Sequence, residues 1–303
     1  MNFDVIIIGA GPSGLTAGIY TCRAGLRSAC FEGLAIGGQA SLSYDISNYP
    51  GFNSINGFEL MDKIHKHATE VGLTTIYERV IGLKKVEDGF ELRTKDKVYH
   101  SKKVIIASGC VARQLGLDNE RSYIGKGVSY CASCDGAFYK DKIVAVVGGG
   151  DSAMEYVDYL SNIAKKIYLI NRSERFKAGE HKLKKAQAIN NVEIITNAQV
   201  VELHGDKHLK RIEIDKLGDR ELIDVDGLFI AIGHEPRLDY LDIDLELSEH
   251  GYIKVDSNMC TNIEGLYACG DVIDKDFRQV ITACADGAVA GNSCIRGINA
   301  NEE

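Results

Sequence analysis

The sequence contains no tryptophan, three prolines and four methionines in 303 residues. It also lacks any run of about 18 uninterrupted apolar residues, which excludes a membrane-spanning helix. Positive charge is in deficit: 35 Lys and Arg stand against 43 Asp and Glu, a net charge of -8. General nucleic-acid binding wants a basic face, so that class is set aside, and the negative balance favours solubility instead. No basic leader precedes the first apolar run, Val5 to Ile8, and glycines interrupt that run at strand length. It does not read as a signal peptide, and a cytoplasmic protein is expected. The nine cysteines, at positions 22, 30, 110, 131, 134, 260, 269, 284 and 294, are odd in number and scattered. They form no secreted disulfide framework.

One cysteine pair has a spacing that carries chemistry. In Tyr130-Cys131-Ala132-Ser133-Cys134-Asp135-Gly136 two sulfurs are separated by two small residues and followed by a carboxylate. C-x-x-C spacing lets the sulfurs close a tight redox ring that a partner can reach. If Cys134 opens a helix, its N-terminal partial charge favours the thiolate, and Asp135 stands ready to return a proton. Zinc would need four ligands, and no second C-x-x-C exists. A pair of inert buried cysteines, with Asp135 capping a helix, is the plain alternative.

The length suits two domains, and the 32 glycines point to tight turns near phosphates. Val5 to Ile8 leads into Gly9-Ala10-Gly11-Pro12-Ser13-Gly14 and then a helical period, which is a dinucleotide fingerprint in its proper context. Gly9, Gly11 and Gly14 allow the turn, the approach of pyrophosphate and the helix packing. Glu32, 23 residues after Gly9, closes the next strand, where a carboxylate accepts a ribose hydroxyl. The pattern then recurs 139 residues on. Lys142 to Val147 enters Gly148-Gly149-Gly150-Asp151-Ser152-Ala153, a G-x-G-x-x-A fingerprint opening the helix Met154 to Asn162. At the place of Glu32 stands Asn171, followed by Arg172, with Arg175 and Lys177 beyond. Neutral and basic residues there suit a 2′-phosphate, so the first unit is expected to hold an adenine dinucleotide with a free ribose and the second NADPH.

Between and after the fingerprints the chain is less explicit. Phe58 to Val71 has the period of an amphipathic helix whose His65 and His67 are expected in solvent, and residues 76 to 106 read as a small β-meander ending in the buried strand Val104 to Ala107. Leu222 to Gly233 reads as one strand run, ending at His234, a hinge residue or a proton shuttle. Leu266 to Cys269 turns at Gly270-Asp271, and the helix Ala283 to Ile298 is dense enough in Gly and Ala to let backbone approach a ligand.

Taken together, G-A-G-P-S-G at 9 to 14, G-G-Q at 37 to 39, N-Y-P-G at 48 to 51, C-A-S-C-D-G at 131 to 136, G-G-G-D-S-A at 148 to 153, A-C-G-D-V at 268 to 272 and R-Q-x-x-T at 278 to 282 closely resemble the low-molecular-weight thioredoxin reductases over the whole chain. The resemblance implies an α/β protein of two Rossmann-like dinucleotide-binding domains, the second inserted in the first, each with a central sheet and a small β-meander. Residues 1-112 and 240-303 would bind FAD, through Gly9, Gly11, Ser13, Gly14, Glu32, Gly38, Gln39, Asn48, Asp271, Val272, Arg278 and Gln279. Residues 113-239 would bind NADPH, through Gly148, Gly150, Asp151, Ser152, Ala153, Arg172 and Lys177, and would carry the disulfide. It also implies a homodimer that passes electrons to thioredoxin or a thioredoxin-like protein. In that pattern Cys134 faces the flavin, Cys131 attacks thioredoxin and Asp135 is the acid. Disulfide and nicotinamide site lie on one insert while both must reach the flavin, which implies moving domains with hinges at Gly109 to Gly116 and Gly233 to Pro236. One departure stands out: where the family has H-R-R-x-x-x-R this chain has Asn171-Arg172-Ser173-Glu174-Arg175-Phe176-Lys177. Ser173 and Lys177 replace arginines, which leaves NADH or reduced ferredoxin open as donor.

Overall fold

The computed structural model describes residues 2–43 and 45–299. The chain divides into an outer unit, Met1–Val111 with Glu235–Glu303, and an inner unit, Ala112–His234. The second crossing falls five residues before the expected 239/240 boundary, and the first falls one residue before the expected 112/113. The later residues stay with the outer unit because Leu238, Tyr240 and Leu241 pack in the same core as Leu83, Val104 and Ile106, and Leu83 N donates to Tyr240 O at 2.9 Å.

The outer unit is a seven-stranded sheet. Thr74–Ile76, Ser28–Phe31, Asn2–Ile8 and Val98–Ile106 run parallel in that order. Their alternate side chains enter two cores. Val5, Ile7, Cys30 and Ile105 pack on the face that also receives Leu15, Ala17 and Ala290 from the helices Pro12–Arg23 and Val280–Asn299. Ile6, Ile8, Phe31, Val104 and Ile106 pack on the other. Burial on both faces is why these strands read as continuous apolar runs. The expected meander is not a separate element. Val98–Ile106 is nine residues long: its first half pairs antiparallel with Gly89–Arg93, which pairs with Gly82–Val86, and its second half pairs parallel with Leu266–Ala268. One long strand therefore joins parallel and antiparallel parts into a single sheet.

The inner unit repeats the plan with a difference. Val192–Thr196, Lys166–Asn171, Ile143–Val147, Gly227–Ile230 and Val128–Ser129 form a parallel five-stranded sheet. Val144, Val146 and Phe229 face the helices through Met154, Val157 and Leu160. Ala145, Val147, Leu228 and Ile230 face a detached antiparallel sheet of Ala198–Gly205, Leu209–Lys216 and Asp219–Asp224. The single run expected from Leu222 to Gly233 is thus two strands in two sheets. The chain changes sheet at Val225-Asp226, where Ile143 N donates to Asp226 Oδ2 at 2.9 Å. No helix among the described residues is long and apolar enough to cross a membrane.

Candidate active site

Cys131 and Cys134 are joined by a disulfide, with 5.4 Å between their Cα atoms. The one-turn helix Ala132–Asp135 begins after Cys131, not at Cys134. Cys131 has extended backbone and is the helix cap, its Sγ accepting the Cys134 amide at 3.2 Å. Ser133 Oγ lies 3.4 Å from the same sulfur. These donors favour negative charge on Cys131 once the bond opens. Cys134 is the more exposed of the two.

Ser129 holds this loop from beneath. Its buried hydroxyl accepts the Cys131 amide at 3.1 Å and lies 2.6 Å from Asp135 Oδ2 and 3.2 Å from the Cys131 carbonyl. The single hydroxyl proton goes to the shorter contact, so Asp135 is fixed by a donor that also fixes the cysteine. Ser129 ends a two-residue strand beside Leu228–Phe229, too short for any periodicity to reveal.

Both fingerprints form the turn expected of them. In the outer unit Gly9 has φ +106 and a Cβ there would lie 2.4 Å from Ala107 O, while one on Gly14 would lie 1.9 Å from Gly9 O. A Cβ on Gly11 would meet nothing within 4 Å. The helix Pro12–Arg23 has no side-chain cap and no acid in its first turn. Open space in front of uncapped amides is what a pyrophosphate requires. Glu32 accepts Ala10 N at 3.0 Å and Leu34 N at 2.9 Å, one on each oxygen, leaving lone pairs for hydroxyl donors. The distant segments meet: Gln39 Nε2 donates to Cys110 O at 2.6 Å, Cys110 Sγ to Asp271 O at 2.8 Å and Asn48 Nδ2 to Gln279 Oε1 at 2.9 Å. Gly38 has φ +54, and a Cβ there would lie 3.6 Å from Gly11 Cα, which sets the two glycines side by side. Ser13 packs against Gly270, whose Cβ would lie 2.4 Å from its Oγ. Arg278 donates to Ile273 O at 3.1 Å and lies over the Tyr252 ring at 4.2 Å. Val272 is wholly buried, in the core shared with Ile253 and Ile273. In the last helix a Cβ on Gly287 would lie 2.1 Å from Ser13 O and one on Gly291 3.1 Å from Ala17 O, so these glycines let two helices approach.

In the inner unit Gly150 likewise faces open space and the helix Asp151–Ser161 has no side-chain cap. Asp151 would repel a phosphate there, but its carboxylate accepts Gly179 N at 2.9 Å and Lys182 Nζ at 3.0 Å. The Gly179 amide, then Lys182, hold its pKa below the usual carboxylate value. Ser152 is half-buried, and Ala153 is fully buried under the turn. Asn171 is buried and committed to its own turn, donating to Ser173 O at 2.8 Å and Arg175 O at 3.1 Å. Arg172 and Lys177 are exposed, and the Lys177 amide donates to Gly149 O at 2.7 Å, which sets that residue beside the fingerprint. His65 is half-buried, not in solvent, because its Nε2 meets Thr75 Oγ1 at 3.0 Å.

With this geometry in view, the chain matches the pyridine nucleotide-disulphide oxidoreductase family over residues 3–287 and belongs to it. FAD and a pyridine nucleotide are the cofactors of that family. Within it the chain stands with the low-molecular-weight thioredoxin reductases. It is 40% identical to a thioredoxin reductase of Streptomyces coelicolor, covering 95% of this chain and 91% of that one. With the thioredoxin reductase of Bacillus subtilis the identity is 39%, covering 96% and 93%. The crystal structure of Lactococcus lactis thioredoxin reductase in its FR conformation superposes with a TM-score of 0.90 at 34% identity, covering 98% of this chain and 99% of that one.

Proposed function

We propose that this chain is an NADPH-dependent thioredoxin reductase, a cytoplasmic homodimer whose electrons leave through Cys131 and Cys134. The observation that carries the reading is the Cys131–Cys134 disulfide capping its own helix turn, with Asp135 held by Ser129, on the unit that also bears a nucleotide turn flanked by exposed Arg172 and Lys177. The dimer rests on the family pattern, and the compartment on the scattered free thiols, which form no secreted framework.

The residues fit both nucleotides. For FAD, Gly9, Gly11, Ser13 and Gly14 would line the pyrophosphate, Glu32 the ribose, and Gly38, Gln39, Asn48, Asp271, Val272, Arg278 and Gln279 the remainder. For NADPH, Gly148, Gly150, Asp151, Ser152 and Ala153 would line the pyrophosphate, with Arg172 and Lys177 on the 2′-phosphate. Bound flavin and nicotinamide supply the two-electron chemistry that opens the disulfide. Cys131, favoured as thiolate by the Cys134 amide, attacks one sulfur of the partner's disulfide. The partner's other sulfur leaves as a thiolate and takes a proton from Asp135. Cys134 then gives its proton to the Asp135 carboxylate and attacks Cys131; the Cys131–partner bond breaks, the partner's second sulfur takes that proton, and the partner leaves as a dithiol with the pair restored.

A donor panel tests this: NADPH, NADH and reduced ferredoxin are each mixed with the purified yellow protein, with flavin bleaching and thioredoxin reduction as readouts. NADPH should bleach the flavin fastest and support turnover. A colourless protein, or rapid turnover with ferredoxin and none with either nicotinamide, would overturn the assignment.

A further inference from the structure

Behind the cysteine loop lies a buried acid that the reaction does not use. Glu120 is 1% exposed. Its Oε1 accepts Leu115 N at 3.1 Å and the hydroxyl of Tyr130, and its Oε2 accepts Gly116 N at 2.8 Å. A carboxylate buried so deeply persists only where donors surround it, and here they come from two places. Leu115 and Gly116 belong to the segment on which the chain enters the inner unit, tied there by Arg113 N to Gly233 O at 2.9 Å. Tyr130 immediately precedes Cys131, and its carbonyl accepts the Tyr156 hydroxyl at 2.6 Å from the helix that follows the second fingerprint. Burial, then the bond to Glu120, pushes the Tyr130 phenol far above its ordinary pKa, so it stays a donor throughout the neutral range.

We propose that Glu120 is a positioning residue for the redox pair: acting through Tyr130, it anchors the backbone of Cys131 to the entry segment of the inner unit. The proposal rests on the disulfide being the working redox centre. The chemistry requires a sulfur to be presented twice, first for reduction and then to a protein disulfide, and misplacement by an ångström costs about 100-fold in rate. Glu120 and Tyr130 hold the residue before Cys131 at its side chain while Tyr156 holds it at its carbonyl, so the loop cannot rock about Tyr130. Glu120→Gln replaces one acceptor oxygen by an amide donor, which must then face either the Gly116 N–H or the Tyr130 O–H.

The test compares two outlets for electrons in the flavin-loaded protein. Thioredoxin takes them through the disulfide, whereas ferricyanide takes them from the flavin directly. In Glu120→Gln, kcat for thioredoxin should fall about 10- to 100-fold. Ferricyanide reduction, KM for the nicotinamide and FAD content should stay within about twofold. Tyr130→Phe, which removes only the hydroxyl, should show the same split more mildly, and the double variant should be no worse than Glu120→Gln, since both cut one link. If Glu120→Gln does not fold, the split in Tyr130→Phe decides. Loss of both outlets together, unchanged thioredoxin turnover in either variant, or additive losses in the double variant would overturn the proposal. A wild-type protein that reduces ferricyanide but no protein disulfide would overturn the functional reading and this proposal with it.

Discussion

The outer and inner units share one plan and differ at the two places where their chemistry must differ. In each, a strand buried on both faces runs into a glycine turn and an uncapped helix. After the second strand the outer unit places Glu32, whose carboxylate grips the turn through Ala10 N and Leu34 N. The inner unit places Asn171, whose amide is turned inward to Ser173 and Arg175, with the cations outside. The cysteines divide just as sharply. All seven free ones, Cys22, Cys30, Cys110, Cys260, Cys269, Cys284 and Cys294, lie in the outer unit, and the disulfide lies in the inner. Burial pushes the Cys110 thiol up to about 11 and the Cys269 and Cys294 thiols up to about 12, so these sulfurs remain protonated and serve as packing. A repeated scaffold thus differs through one exchange at an equivalent position, Glu32 against Asn171, and through a disulfide present in the inner unit alone.

The sharpest way to break the comparison is to block one turn at a time. Gly11 has φ -78 and Gly150 φ -97, and neither would meet a neighbour on gaining a Cβ, so valine at either should leave the fold intact. Gly11→Val should purify folded but with FAD content near zero, by absorbance at the flavin band. Gly150→Val should stay yellow and lose nicotinamide-driven flavin reduction by about 100-fold, while remaining reducible by dithionite. If each substitution emptied the other site as well, the assignment of one nucleotide to each unit would fail.

The cysteines come next. In protein reduced by NADPH, alkylation at pH 7 under native conditions should label Cys131 and Cys134 and leave Cys30, Cys110, Cys269 and Cys294 unmodified in peptide maps, since a thiol with raised pKa offers almost no thiolate. Sensitivity should appear only as pH climbs toward those raised values. Cys134→Ser should abolish turnover and accumulate a mixed disulfide with thioredoxin on Cys131. An adduct found on the other sulfur, in Cys131→Ser, would reverse the two roles and give more weight to the greater exposure of Cys134 than to the amide on Cys131. Within the same loop, Asp135→Asn should lower thioredoxin turnover by about 100-fold, and Ser129→Ala, which frees the carboxylate without removing it, by about tenfold. A larger loss in Ser129→Ala than in Asp135→Asn would show that the hydroxyl matters to the cysteine rather than to the acid.

How much of this was legible in the sequence depended on whether a residue acts through its neighbours in the chain or through distant ones. The turns at Gly9 and Gly148, the carboxylate at Glu32 and the cysteine pair are local patterns whose spacing is itself the chemistry, and the structure forms each turn. The detached sheet of the inner unit was not readable. Leu222 to Gly233 is apolar enough to pass for one strand, and only the Asp226 contact to Ile143 shows where it changes sheet. Ser129 and Glu120 were invisible for a related reason: a serine before a cysteine, or an acid after Asp118-Asn119, carries no mark of burial. Their roles arise from partners at different points of the chain. The helix turn starts at Ala132 rather than Cys134, and no sequence signal marks it, because the cap is Cys131, a residue that capping preferences do not favour.

The smallest effect is the most discriminating, because it asks how strongly the inner unit rejects a free ribose. Arg172 and Lys177 are exposed and stand near the turn, so NADPH should be preferred over NADH. Asn171 supplies no repulsion and no charge. Its amide keeps the 171–175 turn closed, and Ser173 adds a bond from its Oγ to Arg175 O at 2.8 Å. A charge-assisted hydrogen bond contributes about 1.5 to 3 kcal/mol, so a family arginine replaced by Ser173 should narrow the preference by roughly tenfold or more. Exposure discounts that figure toward its lower end. Ser173→Arg should therefore widen the ratio of kcat/KM for NADPH over NADH by about tenfold, and Arg172→Ala should shrink it comparably, with FAD content, and ferricyanide reduction at saturating NADPH, unchanged in both. Both shifts should diminish as salt rises, since the phosphate contacts are screened at the surface. If Ser173→Arg left the ratio untouched while Arg172→Ala erased it, the whole discrimination would lie in Arg172 and the turn beneath it would be scaffold alone.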